Sequence, residues 1–261
     1  LISSESSSLI NNNFEIIEEI KGGEIVIFNQ FNKIKKYQYD HKIQKPCIFE
    51  WVYIAREDSI IHNVSVYQAR LKMGEYLANT IKTEIDCSQI DYVIPIPTTS
   101  KPVALRISEV LQIPYRECII KNRYIARTFI MSNQKKRKHN IQRKLSVIKN
   151  IVQHKNVLIV DDSIVRGNTI RHIINLLKQN NVNKIYVASC SPIIKYQNFY
   201  GLDIPTKEEL ISYQKNITDI EHSLQIEKLI YQTINDLRKS IQYFNPSLTD
   251  FESSIFDGNY I

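Results

Sequence analysis

Two adjacent carboxylates, Asp161 and Asp162, close an apolar run, Val157–Val160, and lead at once into Ser163, Ile164, Val165, Arg166, Gly167, Asn168 and Thr169. A continuous apolar run of this kind reads as a central strand of a parallel sheet. The carboxylates then sit at its C-terminal end, where open α/β sheets bind ligands. The following loop has the marks of a phosphate cradle. Gly167 permits close backbone approach, Thr169 offers a hydroxyl, and the N–H groups of the loop and of a helix start favour an anion. The two Asp cannot hold that phosphate, since like charges repel. They suit a sugar diol, a magnesium ion, or both. An acid pair beside a phosphate loop therefore describes a phosphorylated sugar with a metal-bound second anion. For two Asp alone, a polar strand end with a helix cap would suffice; the whole string Val157–Thr169 favours the functional reading.

A second cluster of hydroxyls, Thr98, Thr99 and Ser100, follows another short apolar stretch, Tyr92–Pro97. Thr98 and Thr99 suit an N-cap for the helix that Pro102 opens, a role that can coexist with ligand contact. Lys121, Arg123 and Arg127, and the basic cluster 135–144 behind them, read from charge alone as a solvated run. An RNA-binding patch is the weaker alternative for the cluster.

The elements that must position these groups alternate helix and strand from about residue 60. Ser65 and Gln68 form a capping box before a helix to about Lys82, with Val66, Ala69, Met73, Leu77 and Ile81 on one face. A helix carrying Val103, Ile107 and Val110 follows Pro102. Ile170, Ile173, Ile174 and Leu177 make the stripe of the helix after the phosphate loop. Lys184–Ser189 is a further strand. Thr206 with Glu209, and Thr218 with Glu221, mark two later helix starts. Such alternation predicts an α/β fold with a doubly wound parallel sheet covered on both faces. Ahead of it, Gly22–Gly23 and Glu24–Asn29 indicate a turn and a strand in a small β-rich piece, and Cys47–Ser59 reads as a buried connector.

Composition narrows the class. Hydrophobic residues make up 43% and charged residues 23% of 261, which is ordinary for a globular chain of one full domain and a smaller piece. The net charge of +7 suits an anionic substrate, although the wealth of Ile, Asn and Lys is what an A- and T-rich coding sequence produces. Cys47, Cys87, Cys118 and Cys190 form no CxxC pair, so reduced thiols of a cytoplasmic protein are expected. No apolar run approaches the roughly 20 residues of a membrane span. The start LISSESSSLI lacks the pattern of a signal peptide and an initiator Met, which is expected of a chain that begins partway through a longer protein.

The string VLIVDDSIVRGNT (157–169) resembles the PRPP-binding (5-phosphoribosyl 1-diphosphate) signature of type I phosphoribosyltransferases, and more narrowly that of the glutamine PRPP amidotransferase (amidophosphoribosyltransferase) family. CIFEWVYIAREDS (47–59), SVYQARLKMGEYLA (65–78), KNRYIARTFI (121–130) and FYGLDIPTKEELI (199–211) resemble further family stretches in the same order. The resemblance implies a type I phosphoribosyltransferase fold with a flexible hood loop, preceded by a β-rich remnant of a glutaminase domain. The divisions it implies are a remnant at 1–45, a connector at 46–64, the transferase domain at 65–245 and a C-terminal tail at 246–261. It implies that Asp161, Asp162 and Thr99 hold one magnesium ion per subunit. Thr98 and Ser100 would face the pyrophosphate of PRPP, and Ser163–Thr169 its 5-phosphate. Lys121, Arg123 and Arg127 fall on the catalytic loop that closes over the leaving group. Tyr53 and Ile130 match positions near the route of ammonia, with core packing an equal alternative.

The implied reaction converts PRPP and glutamine-derived ammonia to 5-phosphoribosylamine and pyrophosphate, the first step of purine synthesis. No candidate cysteine nucleophile for a glutaminase is found, so the implied assembly is a homo-oligomer or a pairing with a separate glutaminase chain, without nucleic acid or membrane. Of the cluster ligands some members carry, Cys47 is retained but Asn198 stands at another position and FESSIFDGNYI lacks cysteine, so no iron–sulfur cluster is expected. Departures are Ala126 for a Gly, Ser132 and Glu57 for a Pro, and Thr98 for an acid. A PRPP-sensing regulator and an inactive relic supporting a partner chain are the rival readings.

Overall fold

The structure is a computed structural model that describes residues 1–29, 34–39, 44–122 and 145–261. At the N-terminal end a short helix, α1 (Ser6–Ile10), precedes an antiparallel hairpin of β1 (Glu24–Phe28) and β2 (Ile34–Gln38). The hairpin strands are largely exposed. The region of α1 is fastened by side chains: the Glu5 carboxylate accepts from the Arg56 N–H (3.0 Å) and the Ser59 hydroxyl (2.7 Å), and Ser6 Oγ accepts from the Ile60 N–H (2.6 Å).

Residues 47–59 do bury apolar surface, through one wide helical turn at Glu50–Ile54 in which the Ala55 N–H reaches the Glu50 carbonyl (3.0 Å). That turn is wider than an α-helix turn, a form often found at functional sites. It seats Trp51 fully inside, edge-on to Phe251 at 6.1 Å and 88°. Residues 246–261 close the same layer. The Ile48 N–H donates to the Glu252 carbonyl (3.1 Å), the Glu252 N–H donates to Pro46 (3.0 Å), and Phe251, Ile255 and Phe256 are buried. A two-stranded β3 (Ile60–Ile61) and β4 (Val64–Ser65) leads out of the connector.

α2 (Val66–Glu84) starts where Ser65 Oγ accepts the Gln68 N–H. Its buried stripe contains the expected apolar residues together with Arg70 and Gly74. β5 (Tyr92–Pro95), α3 (Lys101–Leu111) and the pair β6 (Ile119–Lys121) and β7 (Leu145–Val147) follow. Then come α4 (Lys149–Val152), β8 (Asn156–Asp161), α5 (Asn168–Gln179), β9 (Lys184–Ser189), α6 (Ile217–Leu224), β10 (Lys228–Tyr231) and α7 (Ile234–Gln242). β5, β8, β9 and β10 form one parallel sheet in the order β10-β9-β8-β5. Alternate residues face opposite cores, as a strand period of two requires. Leu158 and Val160 pack with α2, α3 and α7, while Val157 and Ile159 pack with α5 and α6. The sheet is thus covered on both faces, as the alternation in the sequence predicted.

Three local expectations are corrected. Thr98 and Thr99 do not cap α3; Ser100 takes the N-cap position and makes no side-chain cap bond. The helix expected after Thr206 is a single 3₁₀ turn, Lys207–Glu209, with no side-chain cap. The chain leaves it because Leu210 and Ile211 are each drawn into a core cluster and the Ile211 N–H bonds the Val165 carbonyl at 2.9 Å. α6 is capped by Asn216 and Asp219 in a reciprocal box rather than by Thr218 and Glu221. Glu221 instead accepts the Leu229 N–H at 2.8 Å, tying α6 to β10.

α2 and α3 approach closely at Gly74, where an added Cβ would stand 2.6 Å from the Val103 carbonyl oxygen and 2.8 Å from Arg106 Cβ. The first of these is backbone and cannot swing aside. Gly74→Ala is therefore expected to lower unfolding free energy by about 1–3 kcal/mol, the usual cost of overpacking, despite the better helix propensity of Ala. Urea denaturation followed by circular dichroism measures this, and an unchanged midpoint would refute the contact.

Candidate functional site

β8 places its last residue, Asp161, opposite Ser189 of β9. The backbone at this point is fully used: the Asp161 and Asp162 carbonyls accept the N–H groups of Cys190 (2.9 Å) and Ser191 (3.0 Å). The carboxylates are therefore held by a rigid strand end. Asp161 is only 6% exposed, and its Oδ1 accepts the Asp162 N–H at 3.0 Å. Asp162 is partly buried, and its Oδ1 accepts the Ser163 hydroxyl at 3.0 Å.

Burial pushes the Asp161 carboxyl well above the usual carboxylate range, and the neighbouring Asp162 charge pushes it further. Burial raises Asp162 to about 6, against the pull of the Ser163 hydrogen bonds and the Arg70 charge. Two carboxyls this poorly solvated gain most from a cation, which removes both their desolvation cost and their mutual repulsion.

The loop from Ser163 to Gly167 then turns into α5. Gly167 adopts a left-handed conformation (φ +76°) at the N-cap and supplies no side-chain acceptor to the first N–H groups of the helix. Those donors face the loop unpaired by a cap, which suits an anion. A Cβ at Gly167 would stand 2.4 Å from Ile211 Cδ1 as well as straining the backbone. Ile164 is buried in the core and the Val165 carbonyl holds Ile211, so these two residues offer backbone rather than side chains. Arg166 is ion-paired with Glu209 at 2.9 Å.

The other strand-end loop lies next to this one because β5 pairs directly with β8. Thr98 and Thr99 line a cleft of about 620 Å³ together with Arg70 and residues 53–58. Ser100 is fully buried, and its hydroxyl donates to the Ile96 carbonyl at 2.7 Å, so it shapes the loop from within. Tyr53 is 52% exposed on the cleft wall. Lys121 ends β6 and is exposed. Arg123, Ala126, Arg127, Ile130, Ser132 and the basic cluster 135–144 lie outside the described residues.

Cys47 and Asn198 line one smaller cavity of about 260 Å³ with Glu50 and Glu252. Asn198 is a loop fastener there, its Oδ1 accepting the Tyr200 and Leu202 N–H groups.

Arg70 is the site residue that the pattern reading passed over. It is 2% exposed and donates from Nε to the Trp51 carbonyl and from Nη2 to the Ala55 carbonyl, both at 2.9 Å. The available signal was an Arg inside an apolar helical stripe, one residue after Ala69 and four after Val66.

Comparison with known proteins agrees with this geometry. The phosphoribosyl transferase domain family matches residues 65–196. The amidophosphoribosyltransferase of Pasteurella multocida (strain Pm70) is 44% identical over 263 residues, covering 100% of this chain and 52% of that protein. That of Escherichia coli (strain K12) is 40% identical over 262 residues, again covering 100% of this chain and 52% of the relative. The structure of the glutamine PRPP amidotransferase from B. subtilis, complexed with ADP and GMP, superimposes with a TM-score of 0.85 at 32% identity, covering 98% of this chain and 56% of that one. The chain spans about half the length of the curated relatives it matches.

The electrostatics of the acid pair predict a pH signature without metal. Both carboxyls bind protons more tightly folded than unfolded. The native state therefore holds more protons from about pH 4 upward, through the Asp162 value of about 6, and stability falls as pH rises through that range. Asp162→Asn, which keeps an acceptor for the Ser163 hydroxyl, should remove part of that slope. It should raise neutral-pH stability in chelator by on the order of 1–2 kcal/mol. Urea titrations of both proteins at pH 4.5 and 7 test this; parallel pH dependences would contradict the desolvation described.

Proposed function

The chain belongs to the phosphoribosyltransferase family, and from that premise we propose that it transfers the 5-phosphoribosyl group of PRPP to ammonia, as the transferase half of an amidophosphoribosyltransferase acting at the first step of purine synthesis. The observation that carries this reading is the buried Asp161–Asp162 pair between two strand-end loops, Ser163–Thr169 and Pro97–Ser100. One loop accepts a phosphate monoester through backbone N–H groups and the Thr169 hydroxyl. The other presents Thr98 and Thr99 to the pyrophosphate. The acid pair takes the ribose hydroxyls between them.

Among the described residues no three His, Cys, Asp or Glu side chains gather into a metal cage. Magnesium is commonly held by one or two carboxylates completed by substrate phosphates and water. Two adjacent desolvated carboxyls with the Thr99 hydroxyl, all oxygen donors, fit that arrangement. When bound, magnesium would neutralise charge on the departing pyrophosphate. The protein groups orient the reactants: the anomeric C–O bond breaks, a C–N bond forms with ammonia, pyrophosphate leaves, and the nitrogen gives a proton to solvent. Lys121, at the end of β6, and Arg123 and Arg127, after it in the chain, supply cations to the leaving group, acting most when its charge has developed.

The ammonia is derived from glutamine in our reading, and the assembly is a homo-oligomer or a pairing with a separate glutaminase chain. The thiols here do not suit that task. Burial pushes Cys47 up to about 12 and Cys118 up to about 11, and raises Cys87 and Cys190. A thiol with so little thiolate is a poor nucleophile. We assign residues 1–45 to a glutaminase remnant, 46–64 to a connector, 65–245 to the transferase domain and 246–261 to a tail folded back on the connector. We infer one magnesium per subunit, no iron–sulfur cluster and a cytoplasmic setting; no helix among the described residues is long and apolar enough to cross a membrane.

Pyrophosphate release from PRPP with ammonium chloride and magnesium tests the reaction. Asp161→Asn with Asp162→Asn is expected to abolish magnesium-dependent PRPP binding, and unchanged affinity by calorimetry would remove the central assignment. Lys121→Ala and Arg123→Ala should lower saturating turnover by roughly a hundredfold, as loss of one transition-state donor commonly does, with PRPP affinity much less affected. Equal falls in both quantities would make these residues ground-state anchors. Finally, the 261-residue chain should release no glutamate from glutamine, and release above a protein-free blank would show one of the four thiols to be activated.

A further inference from the structure

The guanidinium of Arg70 is a buried charge without an acid to balance it. It forms no ion pair among the described residues, its two hydrogen bonds go to neutral carbonyls of Trp51 and Ala55, and its side chain is 2% exposed. Burial lowers its proton affinity, and Glu57, Cys190 and Asp162 offset this only through space. Buried charges are ordinarily paired or ligand-bound, because an uncompensated one is costly. Nε and Nη2 are spent on the carbonyls, and Nη1 donates to nothing among the described residues. Arg70 nevertheless lines the 620 Å³ cleft, beside the hydroxyl-bearing Thr98 and Thr99.

The charges around it leave room for an anion. Arg56 and Asp58 on the cleft wall neutralise one another at 2.8 Å. Glu57 is exposed at the rim, where solvent screens it. Asp162 acts on Arg70 through space without an ion pair and is the group assigned to the metal side. The two carbonyl bonds fix the plane of the guanidinium, so its remaining N–H edge is presented without further loss of side-chain freedom, which is what a planar fork contributes to phosphate recognition.

We propose that Arg70 is a substrate-binding residue for the diphosphate end of the substrate, donating from Nη1 to a pyrophosphate oxygen in the cleft it shares with Thr98 and Thr99. This rests on the reading of the site as a PRPP site and adds to it a fixed cation, distinct from the loop cations Lys121, Arg123 and Arg127. The wide helical turn at Glu50–Ile54 then has a role, since it brings the Trp51 and Ala55 carbonyls together on one guanidinium. The site has two halves with separate recognition: α5 and its loop for the phosphate monoester, Arg70 and the threonines for the diphosphate.

The experiment is calorimetric titration with magnesium pyrophosphate and, separately, with ribose 5-phosphate, on the wild-type chain, Arg70→Gln and Arg70→Lys. Each variant retains a donor for a backbone carbonyl, and a thermal melt verifies folding. Pyrophosphate affinity should fall about ten- to a hundredfold in Arg70→Gln, as for loss of a charge-assisted hydrogen bond, and less in Arg70→Lys, which cannot hold both carbonyls and the ligand. Ribose 5-phosphate affinity should be unchanged in both. Unchanged pyrophosphate affinity in whichever variant melts cooperatively overturns the proposal. So does an equal loss of both ligands, which marks Arg70 as structural only. A wild-type chain that binds neither ligand sinks the PRPP reading itself, an outcome separable from a failure of Arg70 alone.

Discussion

Two carboxylates forced side by side at a buried strand end are the constraint on which the rest of the molecule depends. Left alone they repel, and burial denies them the water that would make ionisation cheap. The fold tolerates this because β8 is an inner strand of the sheet, paired on both sides and packed on both faces. Its backbone gives the pair no freedom to separate. A site of this kind is unfavourable when empty and favourable when a cation and its bound anion arrive, which makes ligand recognition and local stability two views of one interaction.

The loops around the pair follow from the same sheet. Because β5 lies directly beside β8, the turn after each strand opens at the same end, and one phosphate cradle meets one cluster of hydroxyls across the carboxylates. The two loops are stiffened differently. Ser100 turns its hydroxyl inward to Ile96. The Ser163–Thr169 loop is instead clamped from outside, by Ile211 on the Val165 carbonyl and by Glu209 on Arg166. The single turn at Lys207–Glu209 thus serves the phosphate loop from some forty residues downstream.

A second layer, made of the connector and the last residues of the chain, closes the cleft from the side. Trp51 and Phe251 pack edge to face, and the Glu252 backbone bridges Pro46 and Ile48. This layer delivers the Trp51 and Ala55 carbonyls to Arg70, so the connector is held to α2 through a charged side chain rather than through apolar contact alone. Residues 53–58 and Arg70 line the same cleft as Thr98 and Thr99, so the connector forms one wall of it.

The strand, the acid pair, the phosphate loop and the helix after it were legible in the amino-acid order alone, because these depend on residues within one short stretch. Apolar runs specify a strand buried on both faces, Gly167 alone tolerates the left-handed turn, and the 3.6-residue stripe from Ile170 to Leu177 faces the sheet whatever surrounds it. The start of α2 at Ser65 and the two-sided coverage of the sheet were legible for the same reason. The features that could not be read this way involve partners distant along the chain. Thr206 and Thr218 look like caps locally, yet burial of Leu210 and Ile211 cuts the first helix short, and α6 starts from Asn216 because Glu221 is needed by β10. That the Ser100 hydroxyl donates to the Ile96 carbonyl is likewise visible only in the folded loop. Arg70 was illegible because its carbonyl partners, 19 and 15 residues away, lie on another element. No helical periodicity reports that the one charged residue in an apolar stripe is held by backbone and left facing a cleft.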